Sequence, residues 1–174
     1  MAAFETKERK ITLLKEGILF DIDALTFKLT EATMQGTDQK SKSAVASDRA
    51  DALDSSILNR LADYRDATMR QRLQFCLTDE EVLEYKNAPS NEANYVYDLT
   101  LPVAFKDSTL KMVGTKIHEY IVKGSLLDWY IQMGVATNLN ALTAQVAEIE
   151  SSVVNMLRVP SCSRKPLQPF GPAK

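Results

Sequence analysis

The chain has 174 residues, of which 45% are hydrophobic and 25% are charged, and these proportions are typical of one soluble globular domain with its own core. Its formal net charge of −2 creates no strong field, so neither nucleic acid nor an acidic membrane surface is indicated as a partner. The two cysteines, Cys76 and Cys162, lack a CxxC spacing or a matching histidine. We therefore expect free thiols, with no metal site and no disulfide.

The start of the chain, MAAFETKERK, carries charges from Glu5 onward without an apolar run behind them, which argues against a secretory signal. No window approaches the roughly eighteen apolar residues that a membrane span needs, so we expect the protein to fold in a cytoplasm. The sequence contains no glycine-rich phosphate loop, nucleophile elbow or paired-cysteine motif. It therefore predicts no cofactor and gives an enzymatic function little support.

Apolar residues between positions 11 and 34 recur every three or four positions, which is the spacing that lines one face of a helix. They are Ile11, Leu14, Ile18, Ile22, Leu25, Leu29 and Ala32. We predict a first helix over this segment, with Gly17 delaying its start or bending it. Asp21 and Asp23 would point about 200° apart on that helix, so a shared metal or acid/base role is not expected. The small polar stretch at 35–47 predicts an exposed loop.

A second, long helix is predicted from a cap at Ser47 to Phe75, because the three-four apolar spacing continues over this range. The opposite face of this helix interleaves basic and acidic side chains, namely Arg49, Arg60, Arg70, Arg72, Asp54, Asp63 and Asp66. Such a pattern is most simply a solvated, salt-bridged surface. Thr78 followed by Glu81 indicates a capping box for a short third helix near 79–86.

The segment NYVYDLTLPVAF, residues 94–105, alternates apolar and polar residues with a period of two, which predicts one short β-strand. Pro102 cannot donate a hydrogen bond to a ladder, so it marks a strand end or a sheet edge. One strand is not stable alone, and no second run in the sequence pairs with it convincingly. The partner is either a poorly patterned loop that completes a hairpin, which is the commoner case, or a strand of another subunit.

A further helix is predicted from Asp107 or Ser108 to about Met133, with Gly134 as its stop. Its apolar face consists of Leu110, Val113, Ile117, Tyr120, Ile121, Gly124, Leu127 and Ile131. The position of Gly124 on this face indicates the close approach of another helix.

The only histidine, His118, and the only tryptophan, Trp129, lie about three turns apart on this helix, roughly 16 Å along its axis. That distance is too great for both side chains to act on one atom. His118 and Glu119 do not begin a zinc-binding HExxH motif, because valine occupies its last position. We expect His118 to have a packing role, and a small enzyme that uses His118 with Glu119 or Asp128 is the alternative.

A last helix is predicted to begin near Thr137 or Asn138, and its apolar residues follow a heptad spacing. They are Leu139, Leu142, Val146, Ile149, Val153 and Met156. Fewer than three heptads cannot decide whether this face packs within its own chain or against another subunit. We treat these six residues as candidate subunit-interface residues.

Four prolines between positions 160 and 172 predict an extended C-terminal arm over 159–174, which follows a helical domain over 1–158. No acidic residue occurs from Ser151 onward, so the arm is cationic. An extended segment without internal hydrogen bonds needs a surface to hold it, and we predict a subunit contact there. Its candidate contact residues are Pro160, Arg164, Lys165, Pro166, Pro169 and Phe170.

The stretch KIHEYIVKGSLLDWY, preceded by DLTLPVAF, resembles small ring and head-tail connector proteins of tailed bacteriophages, which stack beneath the portal. It is similar to neck or tail-ring components of phages that infect Bacteroidales, including crAss-like phages. The likeness covers roughly residues 95–135 together with the layout of long helices and a proline-rich basic arm. It includes no diagnostic site residue.

The resemblance implies a non-enzymatic structural subunit of the virion that forms a homo-oligomeric ring, twelve-fold symmetry being one arrangement. The implied partners are the portal protein and other neck or tail ring proteins, with non-specific proximity to genomic DNA and no membrane. The implied location is the portal vertex or tail, after assembly in the host cytoplasm.

The expected fold class is mainly α, a helical bundle with long helices, one short β element near 94–105 and an extended C-terminal arm. Besides the small enzyme considered above, two other functions remain open from the sequence. One is a capsid auxiliary or packaged virion protein, and the other is a cytoplasmic helical adaptor that binds through the heptad face.

Overall fold

The computed structural model describes residues 5–34, 55–78, 93–132, 134 and 139–158. Its elements, in chain order, are β1 (Thr6–Leu14), α1 (Lys15–Met34), α2 (Ser55–Leu73), β2 (Asn94–Pro102), α3 (Asp107–Gln132) and α4 (Leu139–Arg158). The described part is therefore mainly helical with a two-stranded antiparallel sheet. None of the helices in these ranges is both long enough and apolar enough to cross a membrane.

Several predicted features lie outside the described residues: the loop at 35–47, the helix start at Ser47, the third helix near 79–86, and the arm at 159–174 with Pro160, Arg164, Lys165, Pro166, Pro169 and Phe170. Two helix boundaries can be compared directly. The second helix ends at Leu73, slightly earlier than predicted, and α3 begins at Asp107 as predicted. Gly134 follows α3 with a φ of 67°, the left-handed conformation that glycine adopts most readily at a helix end.

The strand β1 shows that the prediction of a helix beginning at Ile11 is wrong. Thr6–Leu14 pairs with β2 in an unbroken antiparallel register, and α1 begins only at Lys15. Ile11 and Leu14 also fit a helical spacing, and the charges of TKERK hide the alternation of a strand. The partner of β2 thus belongs to the same chain, but it is the distant N-terminal segment and not a hairpin loop.

The main core takes buried side chains from all six elements, and α3 contributes the most. Tyr95, Tyr97, Leu99 and Leu101 alternate along β2, and each is at most 3% exposed. The central helix α3 packs against α1, α2, α4 and β1, and it buries Ile117, Tyr120 and Ile121 completely. Since burying a large apolar side chain stabilises a fold by about 1.5–3 kcal/mol, the buried faces of β2 and α3 contribute strongly to its stability.

The apolar face of α4 docks on α3 of the same chain. Val146, Ile149 and Val153 are buried in the main core, and Leu139, Leu142 and Met156 are partly buried against it. A subunit contact through these six side chains would require α4 to leave α3. Their assignment to a subunit interface remains a prediction, and the opposite face of α4 is the one exposed to solvent.

Candidate functional site

The charged face of α2 forms a buried polar network against β2, so the prediction of a solvated surface is wrong for its central residues. Asp66 is 7% exposed and accepts a hydrogen bond from the Tyr97 hydroxyl at 2.5 Å. Arg70 donates from Nε to the same carboxylate at 2.7 Å and from Nη2 to the carbonyl oxygen of Val96 at 2.8 Å. Buried tyrosine hydroxyls need acceptors, and α2 supplies them.

A second carboxylate on α2 extends this network to the start of α1. The hydroxyl of Tyr95 and the ammonium of Lys15 both donate to Asp63 Oδ1, each at 2.7 Å. The Lys15 side chain is 6% exposed and also lies 5.5 Å from the centroid of the Tyr95 ring. Asp63 therefore ties together three elements, α2, β2 and the junction between β1 and α1.

The environment of this network favours protonated tyrosines. Burial raises the pKa of Tyr97 well above its usual value, and the adjacent Asp66 carboxylate raises it further. Burial likewise raises the pKa of Tyr95, with the hydrogen bond to Asp63 adding to the effect. Burial also raises the pKa of Asp66, although the charge of Arg70 opposes this. Both tyrosine hydroxyls therefore stay protonated and act as hydrogen-bond donors, a role suited to positioning the strand against the helix.

An arginine clamp joins α2 to α3. Arg65 donates to both carboxylate oxygens of Asp128, from Nε at 2.7 Å and from Nη2 at 2.6 Å. Gly124 lies under this side chain, because a β-carbon at that position would be 2.7 Å from Arg65 Cδ. The predicted close approach at Gly124 is thus confirmed, and its neighbour is a side chain of α2. The clamp occupies Asp128, one of the two proposed partners of His118.

The histidine contacts a residue that the sequence did not indicate. His118 Nε2 lies 2.8 Å from Asp21 Oδ2, which links α3 to α1 at a partly exposed site. Glu119, the other proposed partner, instead accepts hydrogen bonds from Lys123 and Lys116, and these lower its pKa. The two catalytic pairs considered from the sequence are therefore absent from the described residues.

The described residues offer little for cofactor or metal chemistry. No group of three or more histidine, cysteine, aspartate or glutamate side chains within them could hold a metal ion. A cavity of about 300 Å³ lies between the ends of α2 and α4, where Arg72 donates to Glu150 at 2.6 Å. Arg158, the last residue of α4, borders this cavity, and its guanidinium lies 5.1 Å from the centroid of the Phe75 ring.

The outer edge of β2 is covered by the chain that follows α2. The backbone N–H of Thr78 donates to the carbonyl of Asp98 at 2.8 Å, and that of Thr100 donates to the carbonyl of Cys76 at 2.7 Å. Leu77 forms a β-bridge with Leu99 between them. Residues 76–78 therefore cover the central part of β2, and the backbone groups there are not free to pair with a strand of another subunit.

Comparisons with protein-family profiles, with curated proteins and with solved structures find no match to this chain.

Proposed function

We propose that this chain is a structural subunit of a phage virion, part of a ring or head-tail connector near the portal vertex. The main support is where the resemblance falls in the fold. Residues 95–135 span α3 and nearly all of β2, which together supply ten of the 22 buried residues of the main core. A likeness in such a segment concerns the framework of the subunit and not a peripheral decoration.

The polar contacts support a rigid building block. The Asp63 and Asp66 networks and the Arg65 clamp fix α2 against β2, α1 and α3 with side chains that are largely buried. Such fully partnered buried groups favour one arrangement of the elements, which a subunit needs if it is repeated in an assembly. In this proposal, the arm at 159–174 binds a neighbouring subunit or the portal.

The burial of the heptad face gives the adaptor alternative less support than the virion functions. An adaptor would bind a partner through the heptad face of α4, but Val146, Ile149 and Val153 of that face are buried against α3. A capsid auxiliary or packaged protein remains the second candidate, and it differs from the connector in where it sits in the particle.

Co-assembly with portal and neck proteins tests the proposal. We expect light scattering to detect a large complex with the full chain, and a much smaller one with a variant that ends at Arg158. Imaging of purified particles should place the protein at the unique vertex. A distribution over the whole capsid would favour the auxiliary protein, and a chain that remains monomeric in every mixture would contradict both virion functions.

A further inference from the structure

The hydrogen-bond pattern of the sheet determines which backbone groups of β1 face away from β2. At the two ends of the ladder, Val103 N donates to Glu5 O and Lys15 N donates to Ala93 O, each at 3.0 Å. Hydrogen-bonded pairs recur at every second residue of an antiparallel ladder, so the odd-numbered residues of β1 bond to β2. The even-numbered residues of β1 therefore direct their N–H and C=O groups outward.

This outer edge of β1 is open within the described residues. Over residues 6–12, its outward backbone groups belong to Thr6, Glu8, Lys10 and Thr12. No backbone hydrogen bond from another described segment reaches them, in contrast to the covered edge of β2. All four side chains are exposed. An open row of donors and acceptors of this length is a template for another strand.

We propose that β1 of a second copy of this chain occupies this edge, so that two sheets join into a four-stranded antiparallel sheet about a two-fold axis. The axis passes through Arg9, which sets Glu8 opposite Lys10 of the second copy and Thr6 opposite its Thr12. Each of these pairs joins outward-facing residues of both strands, as hydrogen bonding requires. The contact would contain about eight backbone hydrogen bonds and two pairs of opposite charge.

The charges select this register over its neighbours. A shift of one hydrogen-bonded pair in one direction would oppose Glu8 to Glu8, and in the other direction Lys10 to Lys10, and like charges directly opposite are destabilising. Asp98, 3.4 Å from Lys10, lies on the same face and adds a second acidic group near that ammonium. Arg9 would meet its own copy on the other face, where Asp107 lies 2.8 Å from each guanidinium.

The C-terminal arm of the chain fits this edge less well than β1 does. Prolines at positions 160, 166, 169 and 172 leave one stretch of the arm, 161–167, with an unbroken row of alternate backbone donors. That stretch contains Arg164 and Lys165 but no acidic residue to face Lys10, so it lacks the charge complementarity that β1 has with its own copy. The inference is independent of the proposed function. A two-fold contact closes after two copies, whereas a ring needs head-to-tail contacts. The proposed contact would therefore hold two free subunits together as a dimer, or link a subunit of one ring to a subunit of a second ring.

Sedimentation equilibrium of the full chain over a wide concentration range tests the proposal. We expect a concentration-dependent dimer that Glu8→Lys weakens by about tenfold or more, because both charge pairs become repulsive. Lys10→Glu should weaken it similarly, and the double variant Glu8→Lys with Lys10→Glu should restore it. Glu16→Lys, an exposed charge reversal on α1, serves as the control that leaves dimerisation unchanged.

Amide hydrogen exchange identifies the occupant of the edge. In the dimer, the amides of Thr6, Glu8, Lys10 and Thr12 should become protected as concentration rises. A monomer at all concentrations would overturn the proposal, whether its edge amides exchange freely or are protected by another segment of the same chain. A dimer that tolerates Glu8→Lys, with freely exchanging edge amides, would overturn it as well, because another surface would then hold the copies together.

Discussion

Two contacts within the core show how differently apolar and charged faces can be interpreted from sequence. Helix α4 packs its heptad residues on α3, as an apolar stripe normally does. Helix α2 buries part of a face that alternates acids and bases, because β2 presents tyrosine hydroxyls that need those carboxylates. The comparison teaches that a charged stripe is a solvated surface only when no facing element supplies matching donors.

The largest effect should come from removing a carboxylate of the polar contact. Asp66→Ala removes the carboxylate that Arg70 Nε and the Tyr97 hydroxyl share in a buried site, so we expect a loss of about 3–5 kcal/mol in unfolding free energy. Chemical denaturation measures it. Asp98→Ala removes an exposed carboxylate of β2 and should cost less than about 1 kcal/mol. Equal losses in the two variants would show that the network is no stronger than a surface pair.

The apolar contact should be nearly as sensitive. Ile149→Ala creates a cavity between α4 and α3, and we expect a loss of roughly 2–5 kcal/mol. Ile131→Ala, at a side chain that is 59% exposed, is the matched control and should change stability by less than about 0.5 kcal/mol. If Ile149→Ala behaved like the control, α4 would not be docked on α3 in solution.

A smaller loss of stability is expected at the arginine clamp between α2 and α3. Gly124→Ala forces Arg65 away from a β-carbon at 2.7 Å, and overpacking of this kind typically costs about 1–3 kcal/mol. Gly17→Ala provides the opposite sign, because its nearest neighbour is 4.0 Å away and alanine favours a helix by roughly 0.5–1 kcal/mol. Thermal unfolding of both variants measures the difference, and a neutral Gly124→Ala would mean that the clamp can move aside.

The pH dependence of stability should reveal the buried acid. Because burial raises the pKa of Asp66 in the folded state, its contribution to stability is complete below the unfolded pKa near 4 and is lost as pH rises through the folded value. The unfolding free energy of the native chain minus that of Asp66→Asn should therefore fall as pH increases from about 4. A rise over the same range would mean that Arg70 outweighs burial and lowers the pKa.

The smallest effect is expected at the histidine. His118 and Asp21 are 31% and 50% exposed, so His118→Gln should change stability by less than about 1 kcal/mol. The co-assembly measured by light scattering should also be unchanged if the pair only supports packing. A loss of assembly in a variant of normal stability would give His118 a direct role in a contact.

The sequence predicted what depends on local spacing. The bounds of α3, the buried alternation of β2 and the apolar face of α4 all follow from residues close to one another in the chain. The pairing of β1 with β2 could not be predicted, because it joins segments about ninety residues apart and the charges of β1 match no strand pattern. The contact between Asp21 and His118 was missed for the same reason, since it depends on how α1 lies on α3.

The two candidate contact surfaces, the heptad face of α4 and the open edge of β1, also differ in how far the sequence predicts them. The heptad residues of α4 could be found by periodicity, but periodicity does not indicate which surface covers them. The open edge of β1 could not be predicted from the sequence, because it consists of backbone N–H and C=O groups. The direction of these groups depends on the register between β1 and β2. The exposed Lys and Glu side chains of β1 are the nearest indication of an edge strand in the sequence, since edge strands commonly carry charges.

The buried thiol of Cys76 can report how often the covered edge of the sheet opens. Cys76 is 6% exposed, and burial raises its pKa to about 11, so only on the order of one thiol in ten thousand is ionised at pH 7. Its backbone also takes part in covering β2. In a Cys162→Ser background, the rate of alkylation under native conditions therefore reports how often residues 76–78 detach from the strand and expose it to solvent.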